Sequence, residues 1–177
     1  MMGKIKLYPK NEKFFKKLIP FAKKIISICQ DARVNPVIYG SFAQLYHTKD
    51  ENIKINDIDL WIPEKKYKVL IKGLNANKIK HKYFPEGHTL IIKKGKLKVE
   101  VDSIDYYYQD LNKKPFPRTF DKIDFYGEKI RIINLKNLEK FYEVAYVQSD
   151  KTKNKVKRRI KHLEGFLGRT LKWKSKE

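Results

Sequence analysis

In the stretch NEKFFKKLIPFAKKIISICQD, residues 11–31, apolar side chains fall at positions 14, 15, 18, 21, 22, 25, 26 and 29. Spacings of three and four place them along one side of a helix, with Pro20 marking a start or a kink. Asn35-Pro36 ends that pattern, and VIYG then reads as a short buried strand. Gly40 allows a tight turn, and Ser41 is placed to cap a short helix, SFAQLYH. TKDEN is a polar loop. Alternation over residues 53–62 predicts a second strand, closed by Pro63. Residues 64–74 return to helical spacing with Tyr67, Leu70, Ile71 and Leu74 inward.

HTLIIKKGKLKVEVDSI predicts two strands, 88–93 and 97–104, joined as a hairpin around Gly95. Residues 105–120, with three consecutive tyrosines and KKPFPR, are expected to be irregular. FDKIDFYGEKIRII predicts another hairpin turning at Gly127. After Asn134 the helical period returns through Leu135, Leu138, Phe141, Tyr142 and Ala145, and a last helix covers about residues 152–168. The order of elements predicts an α+β fold: a mixed sheet flanked by helices, with a short helical tail. One core over residues 1–133 would carry a basic helical segment, residues 134–177, packed on it.

Composition narrows the class. Hydrophobic residues make up 41% of the 177, enough to bury a core at this length. No stretch approaches the ~20 apolar residues that cross a bilayer. The N-terminus, MMGKIKLYPKNEKFF, lacks the apolar centre of a signal peptide, and a cytoplasmic protein with no membrane partner is expected. The single cysteine, Cys29, permits no internal disulfide; inside IISIC it reads as a buried, inert thiol. Lys and Arg number 41 against 20 Asp and Glu, a formal charge of +21 that favours polyanions, nucleic acid first and acidic membrane second. An AT-rich coding sequence would produce the same excess of Lys, Ile, Asn and Tyr with no partner at all.

The chemistry-bearing residues sit where the core pattern does not need them. In a strand, Asp57 and Asp59 share a face while Ile58, Leu60 and Ile62 point to the other. Two adjacent carboxylates repel, and the remedies are a raised pKa, a basic neighbour or a bound cation. Oxygen-only ligation selects a hard ion, Mg²⁺ or Mn²⁺. Gly40-Ser41, at a strand-to-helix turn, offers backbone N–H groups and a hydroxyl to a phosphate. In KLKVEVDSID, Lys98, Glu100 and Asp102 face one side and Leu97, Val99 and Val101 the other, which supplies a third carboxylate on a later strand. Each feature alone also fits an ordinary capped turn or a half-solvated strand. The four histidines, His47, His81, His88 and His162, share no metal-ligand spacing.

In this order, YGS, NDIDLWI and VEVDSI resemble the nucleotidyltransferase superfamily, the DNA polymerase β-like fold. The resemblance covers roughly residues 34–105. It implies Gly40 and Ser41 as binders of the triphosphate, and Asp57 and Asp59 as metal ligands. The third acid would be Asp102, with Glu100 in reserve. GEKIRIINLKNLEKFYEVAY and the helix after it are similar to the tail of small prokaryotic members; there a basic residue reaches back to the phosphates, here Lys155, with Lys153 and Lys157 competing.

Two features depart from the family pattern. FAQLYH follows Gly-Ser where many small members carry an arginine or polar residue, and sixteen positions separate Ser41 from Asp57, longer than in minimal antitoxin-type domains. The implied activity is Mg²⁺- or Mn²⁺-dependent transfer of a nucleoside monophosphate from an NTP to a hydroxyl acceptor, with release of pyrophosphate. RNA, a protein and a small molecule all stay open as acceptors. The basic run Lys151–Lys161 and the aromatics Tyr106–Tyr108 and Phe116 would suit RNA. A non-catalytic nucleotide-binding or antitoxin-type module, and a basic RNA- or DNA-binding protein, are the competing classes.

Overall fold

A computed structural model describes residues 7, 9–106, 119–148 and 153–171. Seven strands form one mixed sheet: β1 (Val37–Tyr39), β2 (Ile58–Ile62), β3 (His81–Phe84), β4 (Thr89–Lys94), β5 (Leu97–Ser103), β6 (Phe120–Phe125) and β7 (Glu128–Ile133), in spatial order β3-β4-β5-β2-β1-β7-β6. The helices are α1 (Glu12–Asp31), α2 (Gly40–Thr48), α3 (Tyr67–Ala76), α4 (Leu135–Gln148) and α5 (Lys153–Leu167). The α+β class and mixed sheet are those expected. Of the irregular stretch expected at 105–120, residues 107–118 lie outside the described residues, Tyr107, Tyr108 and Phe116 among them.

The alternation in the strands sorts the two faces. Ile58, Leu60, Ile62, Val99 and Val101 are fully buried on one face, and α1 packs against β5 and β7 with α3 beside it. Transferring five such side chains out of water contributes roughly 1.5–3 kcal/mol each. The opposite face carries Tyr39, Asp59, Trp61, Glu100 and Asp102. Tyr39 stacks on Trp61 at 4.3 Å between centroids, and Phe141 of α4 meets both rings edge-on at 5.2 and 5.5 Å. Both hairpins turn where expected: Gly95 and Gly127 have positive φ, +59° and +98°.

Several local expectations are corrected. Pro20 does not start α1 but lies inside it on the exposed side, where water can take the carbonyl its ring orphans. Ser41 does not cap α2; the residue before the helix is Tyr39, in extended conformation, and Ser41 lies within the first turn. The second strand begins at Ile58 rather than 53. Ile53 and Ile55 are buried off the sheet, held by the first residues of the chain. The Asn11 amide donates to the Ile55 carbonyl at 2.6 Å and accepts the Ile55 N–H at 2.9 Å, while the Lys10 N–H donates to the Ile53 carbonyl at 3.1 Å. The edge strand β3, three half-buried residues and the exposed Lys82, carries no pattern that predicts it.

Cys29 is fully buried, and burial pushes its thiol up to about 12, as befits an inert side chain. Among the described residues no helix is long and apolar enough to cross a membrane. Because the Asn11 pair anchors the segment that delivers Asp57, Asn11→Ala should lower stability by about 1–3 kcal/mol in urea unfolding. An unchanged midpoint would show that the pair holds nothing.

Candidate active site

Strand register builds the acidic cluster. Across three neighbouring strands Tyr39 lies opposite Asp59, and Asp59 opposite Glu100 in the parallel pair β2–β5. Asp57 sits in the bend that precedes β2. One carboxylate oxygen from each of Asp57, Asp59 and Glu100 lies within 4.8 Å of the others. Glu100, the acid held in reserve, is the third member of this cluster, and Asp102 lines the pocket beside it. Asp102 lies opposite Trp61, two pairs further along, and accepts hydrogen bonds from the Tyr39 and Thr89 hydroxyls. Residues two apart on a strand share a face, so spacing alone does not say which of the two meets Asp59; the register sets Glu100 there.

The electrostatics are those of crowded, half-desolvated carboxylates. Asp59 is pushed well above the usual carboxylate range by burial and then by Asp57, Glu100 and Asp102, against the pull of Lys155. Burial first, and Glu100 second, raise Asp102 from 3.8 to about 7; the Tyr39 and Thr89 hydroxyls and the Lys98 charge pull the other way. Lys98 meets the cluster with its ammonium, 2.7 Å from Asp57 Oδ2 and 2.6 Å from Glu100 Oε2. Burial alone would lower the Lys98 pKa, but these two carboxylates outweigh it and raise it. The donor set fits a hard divalent cation: carboxylate oxygens only, converging, with a cationic group already drawn to two of them.

Beside the cluster, β1 turns into α2 at Gly40, which has φ +67°. A Cβ there would collide with the Asp59 carboxylate, standing 2.9 Å from its Cγ. Only glycine meets both demands, left-handed backbone and contact with an acid. Behind the turn, the Tyr142 hydroxyl lies 3.3 Å from the Gly40 carbonyl and 3.1 Å from Gln44 Oε1, able to donate to one at a time. Gln44 in turn donates to the Arg159 carbonyl at 3.0 Å and accepts from the Arg159 guanidinium at 3.4 Å. The last helix is thereby tied to the turn.

A pocket of about 200 Å³ opens here, with Gly40, Ser41, Asp59, Glu100, Lys155 and Arg159 among its walls. Of the sequence-predicted residues, Gly40, Ser41, Asp59, Asp102 and Lys155 line it; Lys157 is exposed elsewhere, and the Lys153 side chain lies outside the described residues. Asp57 reaches the cluster from beside the pocket. Sequence reading gave Arg159 no place here, although it follows Lys155 by one helical turn, a spacing that puts both on one face. Lys98, Tyr39 and Thr89 were missed as neighbours of the acids; only Lys98 carried a signal, sharing the face of Glu100. No histidine joins the cluster among the described residues. His47 lies 2.7 Å from the Ile133 carbonyl, His88 pairs with Glu64, and His162 with Asp50.

No protein-family model matches the sequence, and no curated protein matches it. Similarity is found in three dimensions. The crystal structure of ANT(2″)-Ia in complex with adenylyl-2″-tobramycin is similar at a TM-score of 0.60 and 14% identity, over 85% of this chain and 89% of that one. An antigenic nucleotidyltransferase-like protein from Paracoccidioides brasiliensis is similar at 0.56 and 14% identity, over 89% and 78%. The lincomycin-bound lincosamide antibiotic adenylyltransferase LnuA is similar at 0.54 and 14%, over 80% and 95%. The chain therefore has the nucleotidyltransferase fold.

The raised pKa of Asp102 carries a pH consequence. Between 3.8 and about 7 the folded protein keeps a proton that the unfolded chain has lost, so this group's contribution to stability falls as pH rises through that window. In EDTA, Asp102→Asn should flatten part of the decline in urea midpoint between about pH 4 and about pH 7. An identical slope in the variant would contradict the assignment.

Proposed function

We propose that this chain transfers a nucleoside monophosphate from an NTP to a hydroxyl acceptor, with release of pyrophosphate, in a reaction that requires Mg²⁺ or Mn²⁺. The carrying observation is the convergence of Asp57, Asp59 and Glu100 within 4.8 Å beside the Gly40-Ser41 turn. Held by these three carboxylates, a divalent ion would lower the pKa of the attacking hydroxyl and neutralise charge on the phosphates. The rest is work for the chain's own groups. Ser41 and the amides of the first turn of α2 hold the terminal phosphates, aided by the positive end of the helix. Lys155 and Arg159, on one face of α5, offset the charge that grows on the departing pyrophosphate. Asp102 fixes Tyr39 and Thr89 through their hydroxyls and so braces the strand pair that presents Glu100.

The acceptor reading leans towards a small molecule. At about 200 Å³ the pocket falls below the ~300–1,000 Å³ of sites that enclose a whole ligand, so much of the nucleotide and its acceptor would lie outside its walls. Among the similar structures, ANT(2″)-Ia is described in complex with adenylyl-2″-tobramycin, and the lincosamide antibiotic adenylyltransferase LnuA with lincomycin. One observation favours RNA instead: Lys157, Arg158 and Lys161 stand exposed on the outer side of α5. Binding whose log K falls steeply with log salt, and is indifferent to loss of the acids, would support that second reading.

Incubation with each α-³²P-labelled NTP, Mg²⁺, and separate pools of RNA, protein and small hydroxyl compounds reads the activity directly. Asp57→Asn, Asp59→Asn and Glu100→Gln should each reduce transfer to background with unchanged circular dichroism. Asp102→Asn, which disturbs a bracing group, should cost about 10–100-fold. Background activity in Asp102→Asn together with a working Glu100→Gln would return the third position to Asp102.

A further inference from the structure

We propose that Lys98 is a built-in counter-ion of the metal site: its ammonium bridges Asp57 and Glu100 while no divalent ion is bound and withdraws when one binds, so that Lys98 sets how tightly the ion is held. The inference rests on the metal-dependent reading above and adds to it a residue that reading does not use.

Geometry carries it. Lys98 reaches two of the three converging carboxylates at once, at 2.7 and 2.6 Å, short charge-assisted contacts. It lies two residues before Glu100 on β5, on the same face, so its four-carbon stem runs along the strand directly to the cluster. Its side chain is 29% exposed, against 12% for Asp57, which leaves the ammonium a route to water when released. A divalent ion held by those same carboxylates would compete with the ammonium for their oxygens. Like charges brought together at a half-buried site are weakly screened.

Exchange keeps Asp57 and Glu100 paired with positive charge in both states. Without metal, the ammonium keeps the carboxylates paired and tolerable in a half-buried place. With metal, the oxygens ligate the ion and the lysine returns to solvent. Apparent metal affinity then falls by the fraction of time the site stands open. If the open arrangement is populated about one time in ten, removing the ammonium strengthens binding about tenfold.

The full-length protein and its Lys98→Met variant, which keeps an apolar stem, are titrated with Mn²⁺ while free ion is followed by electron paramagnetic resonance. Lys98→Met should bind Mn²⁺ about tenfold more tightly or better. It should also melt lower than wild type in EDTA and gain more on Mn²⁺ addition. In parallel, ¹H–¹⁵N spectra of the wild-type lysine ammonium groups should show a protected Lys98 signal in EDTA that disappears with Mg²⁺. That second measurement decides the matter even if the variant does not fold. Equal or weaker Mn²⁺ binding by Lys98→Met, or an ammonium signal that persists at saturating Mg²⁺, overturns the exchange while leaving the metal site standing. Absence of Mn²⁺ binding in both proteins overturns the metal site and the exchange together.

Discussion

Carboxylates crowded as closely as Asp57, Asp59 and Glu100 stay ionised together only when positive charge shares their space. The fold imposes that crowding. Parallel pairing of β2 with β5 sets Asp59 against Glu100, and the bend before β2 swings Asp57 alongside them. The apolar sides of the same strands are sunk in the core, so the acids cannot separate without unpacking Ile58, Leu60, Val99 and Val101. Packing on one face therefore enforces electrostatic tension on the other. The tension is relieved partly by protons, seen in the raised pKa values of Asp59 and Asp102, and partly by the ammonium of Lys98.

The surroundings are arranged around that cluster. Gly40 lets the β1–α2 turn close onto the Asp59 carboxylate, which brings the first turn of a helix beside the acids. The Tyr142–Gln44–Arg159 chain fastens α4 and α5 to the same turn, so Arg159 faces the pocket from a helix more than a hundred residues away in sequence. The stack of Tyr39 on Trp61, closed by Phe141, seats α4 on the sheet next to the pocket. Anionic strands, a glycine turn and a cationic helix meet in one place, which is the arrangement phosphoryl chemistry requires.

Much of this was legible in the chain itself. Period-two alternation sorted the faces of β2 and β5, and helical spacing found α1, α3, α4 and α5, because burial on one side dictates both patterns. Gly-Ser at a strand-to-helix junction and the Asp-x-Asp that follows it in sequence lie together beside one pocket of the fold. What was hidden depends on three-dimensional register. Glu100 and Asp102 share a face and differ only in which residue of β2 they meet, a fact no single strand encodes. Ser41 looked like a cap because its residue type favours that role, but the helix starts one residue earlier on a glycine. Ile53 and Ile55 alternate like strand residues yet are buried through Asn11, since alternation reports burial and not a sheet partner. Lys98 was visible as a polar position on the acidic face, but its choice of Asp57 and Glu100 as partners belongs to the assembled site.

The most direct test of the account is anomalous diffraction from crystals soaked with Mn²⁺ and a non-hydrolysable NTP analogue. A manganese peak ligated by Asp57, Asp59 and Glu100, with the analogue's phosphates against Ser41, is the predicted result. A map with no manganese at these carboxylates, in crystals where the analogue is bound, would contradict it.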